Sequence, residues 1–208
     1  MFVMKKLTVC MFVIAAVLTS CGGGQLNQQL VYEKNPHYSW GYAEFFGDYY
    51  LPENGNKNNV LSVSLFSDSL KLNGLGNLTG IGQYLYLEDV FQAPTDTFLQ
   101  VGTYNVSVSG LPFTITPGKN DTIDKQVYPI GAYISYYEFN AANSTLKLIS
   151  SGSLTVGFTG NLYTIACNFK TSDGMDLKGN FTAALPHIDQ SITTPKSGVR
   201  KRLTYIRK

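Results

Sequence analysis

Trp40, Tyr42, Glu44 and Phe46 recur at every second position, so an extended chain projects them from one face. Rings beside a carboxylate suit a sugar: the rings stack on its apolar side, and the carboxylate accepts hydrogen bonds from its hydroxyls. Tyr84 and Tyr86 share a face in the same way, as do Tyr133 and Tyr137. Exposed, these tyrosines would form a stacking platform; buried, they are core packing. Trp40, Tyr42, Glu44, Tyr84 and Tyr86 are therefore the candidate ligand-binding residues. Glycoside hydrolysis would need two carboxylates about 5–9.5 Å apart. Glu44, Glu88, Asp89 and Glu138 fall on expected strands, but no spacing orders two of them into a pair, so no catalytic residue is assigned. Two histidines and three cysteines leave little for metal clusters or Cys/His chemistry. The run Asp173-Gly174-Met175-Asp176 lacks the alternating acids of a calcium loop and reads as a hairpin turn. No phosphate loop, dinucleotide fingerprint, zinc spacing or nucleophile elbow is present, and no metal or cofactor is expected.

Strands must position these residues. Leu61, Val63 and Leu65 alternate with Ser62 and Ser64; Tyr104, Val106 and Val108 alternate with Asn105 and Ser107. Leu154, Val156 and Phe158 follow the same period, as do Leu177, Phe181, Ala183 and Leu185. One apolar and one polar face is the pattern of an antiparallel sheet with one side packed. Gly160-Asn161 and Asp173-Gly174 tolerate the positive φ of tight hairpins. Residues 52–59 and 116–124 are turn chemistry throughout and read as loops. Roughly nine or ten strands are expected, near residues 38–49, 59–67, 82–91, 101–108, 111–116, 128–139, 145–150, 152–158, 161–170 and 176–185. The fold class is all-β: an antiparallel β-sandwich, with a closed up-and-down barrel as the alternative. Any helix is a short connector. Cys167 alternates with Ile165 and Phe169 and reads as a small core residue.

The chain has 208 residues, 44% hydrophobic and 14% charged, with net charge +2. That length suits one domain and excludes neither a core nor an anchor, while the charge excludes a strongly basic nucleic-acid binder. Lys5 and Lys6 precede an apolar run from Leu7 to Leu18, too short for the ~20 residues a spanning helix needs. The run ends in Leu18-Thr19-Ser20-Cys21, which resembles the bacterial lipobox. The resemblance implies a signal peptide over residues 1–20, lipid attachment at Cys21, and membrane association through that anchor. A polar, glycine-led segment (21–37) then reads as a tether, 38–190 as the β domain and 191–208 as a basic tail. Residues 196–208 carry six positive charges and no acid, whereas residues 21–195 hold eight basic against fourteen acidic groups, a net charge of −6. Such a tail is expected to have weak, salt-sensitive affinity for anionic surfaces.

Trp40-Gly41-Tyr42, Gly102-Thr103-Tyr104, the segment 151–156 and Tyr163-Thr164-Ile165 with its Asp173-Gly174 turn resemble the small β-rich lipoproteins abundant in Bacteroidetes. The resemblance implies a cell-envelope domain whose members mostly lack an assigned activity. The expected function is non-enzymatic binding, of a glycan as the aromatics favour or of another envelope protein, by a protein lipid-anchored in the outer membrane. The rivals are a polysaccharide-acting envelope hydrolase and a structural subunit of a lipoprotein complex. Asp68-Ser69-Leu70 and Asp121-Thr122-Ile123 match the O-glycosylation pattern of that group, which makes Ser69 and Thr122 candidate acceptors.

Overall fold

The computed structural model describes residues 32–123, 125–138 and 145–192. The expected signal peptide, Cys21, most of the tether and the tail beyond Ile192 lie outside the described residues. The last part of the expected tether bonds to the fold: Lys34 O accepts from Lys178 N–H at 2.7 Å, and Pro36 O from Asn180 N–H at 3.0 Å.

The described chain is nearly all strand. The strands are β1 (His37–Tyr38), β2 (Trp40–Gly47), β3 (Asn59–Phe66), β4 (Lys71–Leu72), β5 (Leu78–Thr79) and β6 (Ile81–Gln92). They continue with β7 (Gly102–Val106), β8 (Thr114–Ile115), β9 (Lys119–Ile123), β10 (Gln126–Ile130) and β11 (Ala132–Glu138). The remainder are β12 (Thr145–Thr159), β13 (Leu162–Thr171), β14 (Asp176–Leu177), β15 (Asn180–Ala183) and β16 (His187–Asp189). The helix α1 (Leu51–Asn54) is a single turn, a connector.

The all-β expectation holds, and the architecture is a closed five-strand barrel with additional strands. The ring runs β6–β8–β7–β12–β11 and back to β6. An odd ring cannot be antiparallel at every joint, so it is not an up-and-down barrel; the parallel pair β7–β8 supplies the one same-direction contact. From β6 the sheet continues through β3 and β2 to β16, and from β12 through β13 and β15 to β1. β16 lies parallel to β2, and β1 parallel to β15, so the sheet is mixed at both ends. Flanking strands and ring share one core, in which Leu61, Val63 and Leu65 meet Leu154, Ile165 and Phe181.

Two bulges shape this arrangement. β12 serves β11, β7 and β13 in turn, and its pairing shifts between Ile149 and Ser151. Gly152 follows at φ +111°, where a Cβ would lie 2.2 Å from Asn168 O, so only glycine fits. In β6 the register against β3 jumps between Leu61/Val90 and Val63/Leu87. Glu88 and Asp89 thus both stand opposite Ser62, and the inward phase changes from Leu85 and Leu87 to Val90. An extra residue in one strand is what re-aims side chains there.

Sequence and structure differ at several elements. Residues 116–124 are not only loop, because β9 pairs with β10 as a hairpin. The expected strands 145–150 and 152–158 are one strand through the Gly152 bulge. The stretch 176–185 divides into β14 and β15.

Candidate functional site

The face of β2, β3 and β6 turned away from the main core collects the candidate residues. Trp40 stacks on Phe66 at 4.0 Å between centroids and 11° between planes, and its Nε1–H donates to Leu70 O at 2.6 Å. Tyr42 stacks on Phe66 at 5.9 Å, and Tyr84 does so at 5.7 Å. Tyr86 and Tyr133 meet at 5.2 Å. These rings form a second apolar cluster closed by Leu70 and Leu78 from the β4–β5 hairpin. Tyr84, Tyr86 and Tyr133 are buried, and Trp40, Tyr42 and Tyr137 are half-buried. The structure therefore brings the sequence-selected aromatics together, but as a packed layer in which only Trp40, Tyr42 and Tyr137 retain accessible edges. A stacking platform needs open ring faces, which this packing does not offer.

Glu44, Glu88 and Asp89 share this side of the sheet, whereas Glu138 falls in phase with the core-facing Ala132 and Ile134 of β11. Glu44 is 9% exposed, and its Oε2 accepts from the Ser62 hydroxyl at 3.1 Å. Glu88 is 3% exposed and its Oε2 accepts from Gly131 N–H at 2.7 Å. Asp89 Oδ2 accepts from the Tyr50 hydroxyl at 2.8 Å, and Asp89 O accepts from Thr116 N–H at 3.0 Å. Glu138, at the end of β11, is half-buried.

Beside Asp89 opens a cleft of about 370 Å³. Its lining includes Tyr50, Asn54 and Asn56, Asp89 and Phe91, and Val108, Gly110, Thr116 and Lys119. Local chemistry holds these walls. The Asn-rich loop after α1 folds on its own side chains, with Asn56 N–H donating to Asn54 Oδ1 at 3.1 Å and Asn58 N–H to Asn56 Oδ1 at 3.0 Å. Such Asx contacts let a loop without regular structure keep one shape. Asn56 Nδ2 and Asn58 Nδ2 both donate to Gly110 O, at 3.0 and 2.8 Å, which ties the loop to the β7–β8 connection. Tyr50 stacks on Phe91 at 5.9 Å. The cleft therefore offers amides, hydroxyls, one carboxylate, one amine and an aromatic edge in a preformed space.

Of the four acids singled out in the sequence, Asp89 alone lines the cleft. Tyr50, Asn54, Asn56, Thr116 and Lys119 went unselected; their one sequence signal was the broken alternation Leu85, Leu87, Val90, which marks the bulge that turns Asp89 toward them. Ser69 and Thr122 are both exposed; the Ser69 hydroxyl donates to Ile81 O, and Thr122 N–H donates to Asp121 Oδ1 at 2.9 Å. Cys167 is buried in the core, and desolvation pushes its thiol up to about 12. Among the described residues no group of three or more His, Cys, Asp and Glu gathers to hold a metal ion.

No protein family, characterised protein or solved structure matches this chain.

Proposed function

We propose that this is a lipid-anchored protein of the bacterial outer membrane, of the kind abundant in Bacteroidetes, whose β domain binds a carbohydrate in the Asp89 cleft without cleaving it. The make-up of that cleft carries the reading. Asp89, positioned by the Tyr50 hydroxyl, faces a space shared with Asn54, Asn56, Thr116, Lys119 and the Phe91 ring. Sugars present hydroxyls that both donate and accept, together with an apolar C–H side. A concave site with a few placed polar groups and one ring fits them. Two-carboxylate hydrolysis would require a second acid in the same space, and Asp89 is the one carboxylate lining it. A second reading, docking of another envelope protein, is favoured by Val108 on the rim and nearby Leu111, both more than half exposed.

Calorimetric titration of the mature chain against a panel of soluble oligosaccharides tests the binding claim. Asp89→Asn should weaken the best ligand about 10–100-fold, the loss of a charged hydrogen bond worth ~1.5–3 kcal/mol. Release of reducing ends from the panel would support the hydrolase instead. Cys21→Ala should abolish incorporation of labelled fatty acid and release the protein from membranes; retention of both would refute the anchor.

A further inference from the structure

We propose that Asn73-Gly74, in the loop between β4 and β5, is a self-modifying site: Gly74 N attacks the Asn73 side chain, and the isoaspartyl linkage that results loosens the hairpin over the aromatic layer. The chain has two Asn-Gly dipeptides, at 54–55 and 73–74. The fold ties one down and leaves the other open.

Glycine after asparagine carries no Cβ to shield its nitrogen, so that nitrogen can close a cyclic imide on the side-chain carbonyl carbon. At Asn73 a solvent base takes the Gly74 N–H proton, a bond forms between Gly74 N and Asn73 Cγ, and the Cγ–Nδ2 bond breaks. The side-chain nitrogen leaves as ammonia, its added proton supplied by water. Water then opens the imide at either carbonyl. The product is aspartate, or an isoaspartyl residue whose backbone runs through Cβ and Cγ.

The attacking nitrogen is open at Asn73. Gly74 N–H donates to no atom among the described residues, and nothing lies within 4 Å of where a Cβ on Gly74 would stand. The carbonyl it attacks is activated. Asn73 Oδ1 accepts from Leu75 N–H at 2.9 Å and from Asn77 N–H at 3.0 Å. Two amide donors on that oxygen draw charge from Cγ and stabilise the oxyanion that forms on attack. The turn keeps them aimed: Asn73 N–H donates to Asn77 O and Gly76 N–H to Asn73 O, both at 2.9 Å.

Asn54 has the opposite setting. Gly55 N–H donates to Leu51 O at 3.1 Å and closes α1, and Asn54 Oδ1 accepts from Asn56 N–H alone among the described residues. That protection matters because Asn54 lines the Asp89 cleft, where conversion would add a second carboxylate. Gly174, which follows Asp173, is tied in the same way, its N–H donating to Thr171 O at 2.9 Å. Conversion at 73 reaches the aromatic layer through its cover. Leu72 pairs with Leu78 across the loop, Leu70 and Leu78 close the cluster, and Trp40 Nε1–H donates to Leu70 O. An isoaspartyl linkage lengthens the loop's backbone and shortens the side chain gripped by the Leu75 and Asn77 N–H groups, so the hairpin loses both its register and its cap.

The mature chain is incubated at mildly alkaline pH, folded and guanidinium-unfolded, and conversion at each asparagine is followed by peptide mass spectrometry. Unfolded, the two Asn-Gly sites should convert at similar rates. Folded, Asn54 should slow about 10-fold, the factor that one retained amide hydrogen bond supplies, whereas Asn73 should match or exceed its unfolded rate. Gly74→Ala, whose added Cβ meets nothing within 4 Å, should slow conversion at 73 with the circular dichroism spectrum unchanged. Trp40, the single tryptophan, reports on the cover. Its emission should move to longer wavelength as isoaspartate accumulates at 73, and should stay in place in Gly74→Ala and in Asn73→Asp, which gains the charge without the altered backbone. Folded Asn73 slowed as much as Asn54 would overturn the site. Aged protein whose Trp40 emission matches that of Asn73→Asp would overturn the loosened hairpin.

Discussion

Gly152→Ala is expected to destabilise the protein far more than Gly174→Ala, although both glycines have positive φ. Gly174 sits at φ +87° in the β13–β14 hairpin, with nothing within 4 Å of where a Cβ would stand. Alanine there meets the left-handed strain alone, ~1–2 kcal/mol, partly offset by the ~0.4–1 kcal/mol that alanine gains through the unfolded chain. The net cost is about 1 kcal/mol. Gly152 sits at φ +111°, and its Cβ would lie 2.2 Å from Asn168 O and 2.7 Å from Phe169 Cα. Both obstacles are backbone of β13, so relief requires moving a strand, which adds overpacking of ~1–3 kcal/mol. The total is about 3 kcal/mol, and at this chain length each kcal/mol lowers Tm by about 2–4 °C. Thermal melts followed by circular dichroism should show a loss of roughly 6–12 °C for Gly152→Ala against about 2–4 °C for Gly174→Ala. Equal losses would refute the bulge as the feature that lets β12 serve both the ring and β13.

Three further outcomes follow from local chemistry. The Lys147 ammonium, then the Thr171 hydroxyl, hold the Asp173 carboxyl down at about 2. A depressed carboxylate stabilises the fold above its unfolded value near 3.9, and that contribution fades as pH falls toward 2. Exposure screens the pair and keeps its effect small, so Lys147→Gln should raise the Asp173 titration midpoint by NMR with little change in Tm. Cys167, buried with its thiol pushed to about 12, should react with a disulfide reagent only after denaturation; prompt reaction in the native protein would contradict its core placement. The Tyr104 hydroxyl lies 2.9 Å from both Gln92 Oε1 and Gln100 O, and desolvation pushes it up to about 12. Tyr104→Phe should cost about 1–3 kcal/mol in urea unfolding, because it removes the buried hydroxyl that donates to Gln92 Oε1 and accepts from Gln100 N–H.

The core-facing side of the strands was legible. Leu61, Val63 and Leu65, and likewise Leu154 and Val156, enter the core as their period of two requires. What the period could not show is the second buried face. Ser62 and Ser64 read as solvent-facing, yet both are buried, because the far side of β2, β3 and β6 carries its own aromatic layer. The same layer takes up Tyr84 and Tyr86, which alternation places on one face without saying what covers it. Val108 and Phe158 continue apolar alternations past the point where packing ends, and both are exposed. The hairpin β9–β10 escaped because residues 119–122 are polar and exposed, so no apolar alternation marks the strand. Ring closure also left no local trace, since β8 contributes two residues and joins β6 through a pairing distant in sequence. The cleft is assembled from three connections, the ends of β9 and β10 and the β6 bulge, and none of its residues carries a spacing that points to the others.

The central claim is a carbohydrate site at Asp89. NMR titration of the isotopically labelled mature chain with the best oligosaccharide of the panel tests it most directly. Shift changes should concentrate on Tyr50, Asn54, Asn56, Asp89, Thr116 and Lys119, and Asp89→Asn should suppress them at equal ligand concentration while Tm is maintained. Shift changes confined to other surfaces, or identical in Asp89→Asn, would contradict it.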